Sequence, residues 1–151
     1  MGSMTPDEYM ETVRGHVEGP ARQFLQGVLG EGDVPSYVYT VGRWQNLGQS
    51  ELALVGLPPS VSMSLLNQIT LDGRVLDEWD DLGEFVRKGY PLVVRRVSTV
   101  HVRRFGVAYR FYRFDVSFQQ LVWSDAERRL PWEVGYTGPD QMRLWERPVD
   151  V

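Results

Sequence analysis

Cysteine is absent from this sequence, and histidine occurs only twice, as His16 and His101. Without cysteine the chain has no disulfide framework, no thiolate nucleophile and no cysteine-ligated zinc site. No apolar run approaches the roughly 18 residues that a membrane-spanning helix needs, and no signal peptide is visible. We therefore expect a soluble cytoplasmic protein with no membrane partner, and we predict no metal and no cofactor.

Acidic residues are also absent from the segment between Phe85 and Phe114. This basic segment holds eight of the 16 basic residues and carries +8, although the whole chain carries −4. Six acidic residues lie just before it, between Asp72 and Glu84. Two interpretations stay open. The acids pair with the cations inside one fold, or the arginines form an anion-binding face, since a guanidinium binds phosphate and carboxylate bidentately.

The length of 151 residues predicts one domain with a core of its own. Met1-Gly2-Ser3 precede a second methionine, Met4, and look like a leader left by an expression vector. We therefore expect residues 1–3 to be foreign and residues 4–151 to form the domain.

The strongest periodic pattern lies between Tyr112 and Val122, where large apolar side chains occupy every second position. This alternation predicts a strand with one face on the core, which Asp115 could divide into two strands. Gln120 falls on the apolar parity, so its amide either satisfies a neighbouring backbone group or faces a ligand pocket. After Trp123 a polar turn leads to Pro131-Trp132, and we expect Trp123 and Trp132 to be buried near one another.

Turn residues divide the rest of the chain into shorter elements. Thr5-Pro6 starts a helix that ends near Val17, ahead of Gly19-Pro20. The apolar runs predict strands at 23–28, 37–43, 51–57 and 92–97, the first two as a hairpin, with a loop at 44–50. The segment 98–105 is ambiguous between strand and loop.

Helical periodicity follows Pro58-Pro59, where Val61, Leu65 and Ile69 predict one buried stripe. A second helix is predicted at 76–86, and 140–146 predicts one or two helical turns. Because strands and helices are grouped along the chain, we predict the α+β class: one domain with a mainly antiparallel or mixed sheet and two to three helices packed on it.

Several short motifs occur in a fixed order. They are Tyr39-Thr40-Val41-Gly42, Glu51-Leu52, Gly56-Leu57-Pro58, Phe111-Tyr112, Gln120-Leu121-Val122-Trp123, Asp125 and Pro131-Trp132. Their order and spacing resemble the family called domain of unknown function 4262, over roughly residues 15–135. Members of that family often carry Gly-His-Pro-Glu where this chain has Gly48-Gln49-Ser50-Glu51, so a loop imidazole is missing here. The resemblance implies a source in bacteria, notably actinobacteria, or their phages, and it implies no established activity.

Two functions from different classes fit these residues, since no phosphate-binding loop or dinucleotide fingerprint is present. The first is a binding module for an anionic ligand or a protein partner, with arginines and aromatic rings in contact with the ligand. The second is an enzyme acting on a small molecule through Glu51 as general base, Gln120 and His101. The candidate ligand-binding residues are Tyr39, Trp44, Glu51, Arg96, His101, Arg104, Arg110, Gln120, Trp123 and Trp132.

The partners that we predict follow from the charge distribution. An anionic small molecule, a nucleotide or an acidic protein would suit the basic segment, and a homodimer is a further option. Nucleic acid is disfavoured because nucleic-acid-binding domains usually have a high isoelectric point, whereas that of this chain is about 5.2.

Overall fold

A five-stranded mixed sheet lies at the centre of the protein, with the strand order β1-β2-β3-β5-β4. The structure is a computed structural model that describes residues 4–87 and 89–147, so the predicted leader at 1–3 lies outside the described residues. The strands are β1 (Phe24–Val28), β2 (Tyr37–Val41), β3 (Glu51–Val55), β4 (Leu92–Arg96) and β5 (Phe118–Trp123). β3 and β5 run parallel, and all other neighbouring strands run antiparallel. The predicted α+β class is confirmed.

The described residues form four α-helices that connect or cover these strands: α1 (Pro6–Glu18), α2 (Arg43–Leu47), α3 (Pro59–Asp72) and α4 (Gly106–Tyr112). Short 3₁₀ helices occupy Gly83–Phe85 and Thr99–Arg104. α1 starts as predicted, with Thr5 and Glu8 forming a reciprocal capping box. Within residues 4–87 and 89–147, no helix has both the length and the apolar character needed to cross a membrane.

The two faces of the sheet carry separate hydrophobic cores, because successive side chains of a strand point to opposite faces. One face packs against α1 and α4 and buries Tyr39, Ala53 and Phe118. The other face packs against α3 and buries Leu54 and other residues of that parity: Val38, Leu52, Leu92, Val94 and Leu121. A smaller cluster under the C-terminal segment contains Val93, Val122 and Leu130, with Trp132 and Trp145 partly buried against it.

The strand predicted from Tyr112 to Val122 is wrong in its first half. Helix α4 runs to Tyr112 and ends at Arg113, which adopts a left-handed conformation with φ 67°. Ala108 is buried in the core and Phe111 and Tyr112 pack against it, so this segment follows the helical period. The apparent alternation spans the end of α4 and the start of β5, which begins only at Phe118.

The helix predicted at 76–86 is also wrong, apart from the 3₁₀ turn. Leu76 and Leu82 are buried as predicted, but Trp79 has φ 77° and is 58% exposed. The side chain of Asp81 accepts hydrogen bonds from the backbone N–H groups of Gly83 and Leu92, at 2.9 and 3.0 Å. Such bonds compete with the helical pattern and hold the segment in an irregular path along β4.

Four smaller predictions also need correction. The predicted loop 44–50 contains most of α2, the segment 98–105 is mainly a 3₁₀ helix, and 140–146 contains no helix. In α3 the buried stripe is Ser62, Leu65, Leu66 and Ile69, whereas Val61 is 43% exposed. The observed stripe follows the i, i+3, i+4, i+7 spacing of one helix face, with Ser62 in place of Val61 at its N-terminal end.

Trp123 and Trp132 do not pack together as predicted. Trp123 contacts the core between the sheet and α3, whereas Trp132 lies in the cluster under the C-terminal segment. Both rings are only partly buried. The parity of β5 explains the separation, because Trp123 and Val122 point to opposite faces of the sheet and Trp132 packs on the side of Val122.

Candidate functional site

The carboxylate of Glu51, at the start of β3, is fully buried and accepts five hydrogen bonds between 2.5 and 3.1 Å. The donors are the backbone N–H groups of Gly42, Arg43 and Trp44 and the hydroxyl groups of Thr40 and Tyr112. These donors supply the partners that a buried carboxylate needs. We call this arrangement the Glu51 network.

Gly42 makes the network possible by reversing the chain between β2 and α2. Its φ of 127° belongs to a region that L-residues rarely adopt. A Cβ atom at this position would also lie 2.8 Å from the carbonyl oxygen of Arg22. Only glycine therefore allows the three consecutive N–H groups to converge on one carboxylate.

Thr40 links the Glu51 network to the sheet. Its hydroxyl donates to Glu51 at 2.7 Å and accepts the backbone N–H of Leu52 at 2.9 Å. The regular β2–β3 register ends one residue earlier, at Tyr39 and Ala53. The Thr40 side chain thus replaces a missing backbone acceptor, so no buried N–H group is left unpaired there.

The two titratable groups that face each other in the network, Glu51 and Tyr112, have shifted pKa values. Burial raises the pKa of Glu51 above its usual range, against the hydrogen bonds from Tyr112, Thr40 and the backbone. Burial, together with the nearby Glu51 charge, raises the pKa of Tyr112 far above its ordinary value. The phenol therefore keeps its proton and donates a hydrogen bond to the carboxylate at 2.5 Å.

Arg43 is a buried cation beside this network, with only 1% of its surface exposed. Its guanidinium donates to three neutral acceptors: the carbonyl of Ser50, the hydroxyl of Thr70 and the side-chain carbonyl of Gln49. Within the described part of the chain it forms no ion pair, and two of the five N–H groups of a guanidinium are left without such an acceptor. Burial lowers the pKa of Arg43, while the Glu51 charge acts in the opposite direction.

A cavity of about 400 Å³ lies over Arg43, between the end of α1, α2 and α3. We call it the Arg43 cavity. Both polar and apolar side chains line it, and the lining residues are Pro20, Ala21, Arg22, Gln23, Arg43, Asn46, Leu47, Asn67, Thr70 and Leu71. Its volume is in the range of small-molecule sites, and its few polar groups converge on one space.

Two lining residues have features that ordinary packing leaves unexplained. The side chain of Gln23 is buried and donates to Asn67 at 2.8 Å, but its carbonyl oxygen has no partner among the described residues. Arg22 adopts a left-handed conformation with φ 63°, held by a hydrogen bond from the Asn46 side chain to its carbonyl oxygen. Strained and unpaired groups of this kind concentrate at binding sites.

The predicted aromatic site residues do not form one pocket. Tyr39 is buried in the core, where its hydroxyl accepts the backbone N–H of Val107. Trp44 is 40% exposed and lies edge-on to Phe114. Trp123 donates from its indole N–H to the carbonyl of Val55. Trp132 contacts other tryptophans, described below.

Gln120 is completely buried, and its amide bonds only to the backbone of the C-terminal segment. Its nitrogen donates to the carbonyls of Gln141 and Met142, and its oxygen accepts from the N–H of Leu144. These are the bonds expected of a glutamine that satisfies neighbouring backbone groups. The amide therefore anchors residues 141–144 to β5.

The cations of the basic segment are spread over several surfaces. Arg104 lines a pocket with His101, Arg110 lines a different one beside α1, and Arg96 lies at the end of β4 and lines neither. His101 bonds to the backbone carbonyl of Glu146. Glu51, Gln120 and His101, the residues of the enzyme hypothesis, thus have three separate sets of hydrogen-bond partners.

Arg95 shows how part of the basic segment is used internally. Its guanidinium lies 4.0, 4.9 and 5.2 Å from the ring centres of Trp79, Trp132 and Trp145, and it pairs with Glu78 at 3.2 Å. A cation held between aromatic faces is stabilised by the ring quadrupoles. Arg103 likewise pairs with Asp115. The interpretation in which the acids between Asp72 and Glu84 pair with the basic segment applies to Arg95, whose partner is Glu78, and not to Arg103, whose partner Asp115 lies after that segment.

The residues that line the Arg43 cavity were not predicted from the sequence. Arg43 lies outside the basic segment. Gln23 lies in the segment after α1, whereas Asn67 and Thr70 lie in α3. One signal was available: Arg43 directly follows the Tyr39–Gly42 motif, and Glu51 follows eight residues later. A charged pair flanking a glycine turn between two apolar strands suggests a buried contact.

Asp125 organises the turn after β5. Its carboxylate accepts hydrogen bonds from the N–H groups of Glu127, Arg129 and Thr137, each at 2.9 Å. Burial acts to raise the pKa of Asp125, but the bonds from Thr137, Arg129 and Glu127 outweigh it and hold the pKa at about 2. The motif that ends in Pro131-Trp132 is therefore fixed by one carboxylate.

We predict that Glu51→Gln destabilises the protein by about 3 kcal/mol, because an amide nitrogen would face buried N–H donors and leave them unpaired. Chemical denaturation measures the change. Glu11→Gln is the matched control, since Glu11 is 75% exposed and should cost less than about 1 kcal/mol. Equal stability of the two variants would contradict the network.

We also predict an acid-sensitive contribution from Asp125. Its folded pKa of about 2 lies below the ordinary value of 3.8, so the folded state binds the proton less tightly than the unfolded chain. The stabilisation is fully present above the ordinary pKa and is lost as the pH falls towards 2. Denaturation midpoints measured between pH 5 and pH 2 should fall less steeply for Asp125→Asn than for the wild type, from a lower starting value; parallel curves would contradict this role.

Comparison with known proteins places these observations in a family. Neither the search of curated proteins nor the search of solved structures found a match. The family described as Domain of unknown function (DUF4262) matches residues 20–137, a range that contains Thr40, Glu51 and Tyr112 and every residue that lines the Arg43 cavity. The chain belongs to the DUF4262 family.

Proposed function

We propose that this domain is a binding module for a small anionic ligand, and that the ligand occupies the Arg43 cavity. The observation that carries the proposal is a buried guanidinium at the floor of a cavity with no ion-pair partner among residues 4–87 and 89–147. The site differs from the one predicted from the basic segment, while the ligand class is the same.

Electrostatics supports an anion in this position. A cation held in a low-dielectric wall projects its field into the adjacent cavity, where few counter-ions compete. Glu51 compensates part of this charge, but its carboxylate oxygens are occupied by five hydrogen-bond donors from the end of β2, the start of α2 and α4. The exposed Arg22 adds a second cation at the rim of the cavity.

The neutral lining groups suit a ligand that also carries a polar group and a short apolar part. Asn46, Asn67 and Thr70 offer hydrogen-bonding groups, and Leu47 and Leu71 offer apolar contact. A carboxylate or phosphate on a small organic body fits this combination and the volume of about 400 Å³. Nucleotides and small organic acids are the compounds to test first.

The enzyme alternative has less support. A general base must reach the proton that it removes, and the Glu51 oxygens are buried behind five donors. Gln120 and His101 bond to backbone groups of the C-terminal segment. A protein partner, a cytoplasmic location and a bacterial or phage source stay predictions from the sequence.

We expect small carboxylates or phosphates to raise the melting temperature of the wild type at low salt, and less so at high salt. Leu71→Asp should weaken this binding about threefold to tenfold, because it places a negative charge at the rim of the cavity. Leu71 is 86% exposed, so the substitution should leave the fold intact. Isothermal titration calorimetry measures the affinity.

Val134→Asp is the matched control, since it adds the same charge at a position that is 98% exposed and outside the lining of the cavity. Its affinity should remain close to that of the wild type. Equal weakening in both variants would indicate a general charge effect, and the absence of any anion binding by the wild type would refute the proposal.

A further inference from the structure

The two edges of the sheet differ in how their backbone groups are used. At the β4 edge, residues 79–82 run alongside: Trp79 donates to the carbonyl of Val94, and Leu82 donates to that of Leu92. At the β1 edge, none of the described residues forms a backbone–backbone hydrogen bond to the outer side of the strand. β1 is therefore an open edge.

The alternation of the antiparallel ladder identifies which β1 residues point outward. The carbonyl of Ser36 accepts the N–H of Gly56, so the backbone groups of Ser36 point towards β3. Backbone groups alternate in direction along a strand, so those of Tyr37 and Tyr39 point towards β1. The backbone groups of their partners Val28 and Gln26 therefore point towards β2. The N–H and C=O groups of Leu25 and Gly27 point away from the sheet, and Gly27 is the exposed residue of the strand.

β1 also lacks the devices that protect open edges. Its sequence, Phe-Leu-Gln-Gly-Val, contains no charge, no proline and no lysine. Natural edge strands usually carry such residues because an unprotected edge pairs with another strand. Among the described residues, the Gln26 side chain offers one protection, since its amide donates to the carbonyl of Gly27 at 2.8 Å.

We propose that β1 pairs antiparallel with β1 of a second copy of this chain, which joins two five-stranded sheets into one. A two-fold axis through Gln26 makes the pairing self-complementary, with the outward groups of Leu25 bonded to those of Gly27 in the other copy. On the face of the sheet that packs against α3, the Leu25 side chain then lies next to Gly27 of the other copy, which has no side chain. The Cβ position of Gly27 is 3.7 Å from the Met63 methyl group, so Leu25 would also reach Met63 of the second copy.

The charges that flank β1 fit the same register. Because the pairing is antiparallel, the segment before β1 of one copy, which carries the exposed Arg22, lies next to the segment after β1 of the other, which carries Glu31. Leu29, which is 83% exposed, then lies beside Gln23 of the second copy. Opposite charges at both ends and apolar contact between them favour a second copy of this chain over an unrelated peptide.

The absence of cysteine allows a direct test of this register. At the two-fold axis, Gln26 faces itself in a non-hydrogen-bonded pair, where Cα atoms are about 4.5 Å apart and a disulfide can form. Gln26→Cys should therefore become a covalent dimer under mild oxidation. Leu29→Cys is the control, because residue 29 is more exposed than Gln26 but lies far from residue 29 of the second copy in this register. Circular dichroism checks that both variants fold.

Light scattering after size-exclusion chromatography should give the wild type twice the chain mass of 17.4 kDa. Gly27→Pro should be monomeric and folded, because it removes an outward N–H at an edge where proline is tolerated. A wild type that stays monomeric up to submillimolar concentration, a dimer that survives Gly27→Pro, or equal cross-linking of the two cysteine variants would overturn the proposal.

Discussion

The burial of one carboxylate determines how the central part of this protein is arranged. Glu51 has no access to water, so each of its oxygens must find donors within the chain. The donors come from the end of β2, from the start of α2 and from α4, which are separated by up to 61 residues from Glu51. The sheet, the short helix and the α1–α4 layer are thereby fixed around the same point, and the Arg43 cavity opens beside it.

The family motifs acquire physical roles in this arrangement. Thr40 and Gly42 of the Tyr39–Gly42 motif donate hydrogen bonds to Glu51 directly. Only glycine can adopt the backbone conformation of residue 42, which lies between β2 and α2. Gln120 and Trp123 bond to Gln141 in the C-terminal segment, while Asp125 fixes the turn that leads to Pro131. Gln49, at the position where members of the family often carry histidine, accepts a hydrogen bond from Arg43.

Sequence patterns predicted the elements in which a single period dominates. The start of α1 at Thr5-Pro6, the β1–β2 hairpin, β3, β4 and α3 follow from local signals that tertiary contacts do not override. The predictions failed where the chain changes from helical to strand period within a few residues, as at Arg113. They also failed where the Asp81 carboxylate accepts backbone hydrogen bonds and the predicted helix does not form. The Arg43 cavity was not predictable, because residues from α2, α3 and the segment after α1 meet only through the tertiary fold.

Positive charge has two uses in this protein. Arg95 and Arg103 each pair with an acid, and Arg95, which is also held by three tryptophans, contributes to structure. Arg43 is buried with neutral partners only, next to an open cavity, and it carries the functional proposal. Charge counted along the sequence pointed to the basic segment, whereas burial and hydrogen bonding in three dimensions point to Arg43.

Amide hydrogen exchange at Gly42, Arg43 and Trp44, measured by nuclear magnetic resonance, tests the Glu51 network most directly. If the three N–H groups bond to a buried carboxylate, they should exchange about as slowly as core amides of β2 and β3, even though they lie in a turn and the first residues of a five-residue helix. Rapid exchange at all three, as in an exposed loop, would contradict the network and the cavity that depends on it.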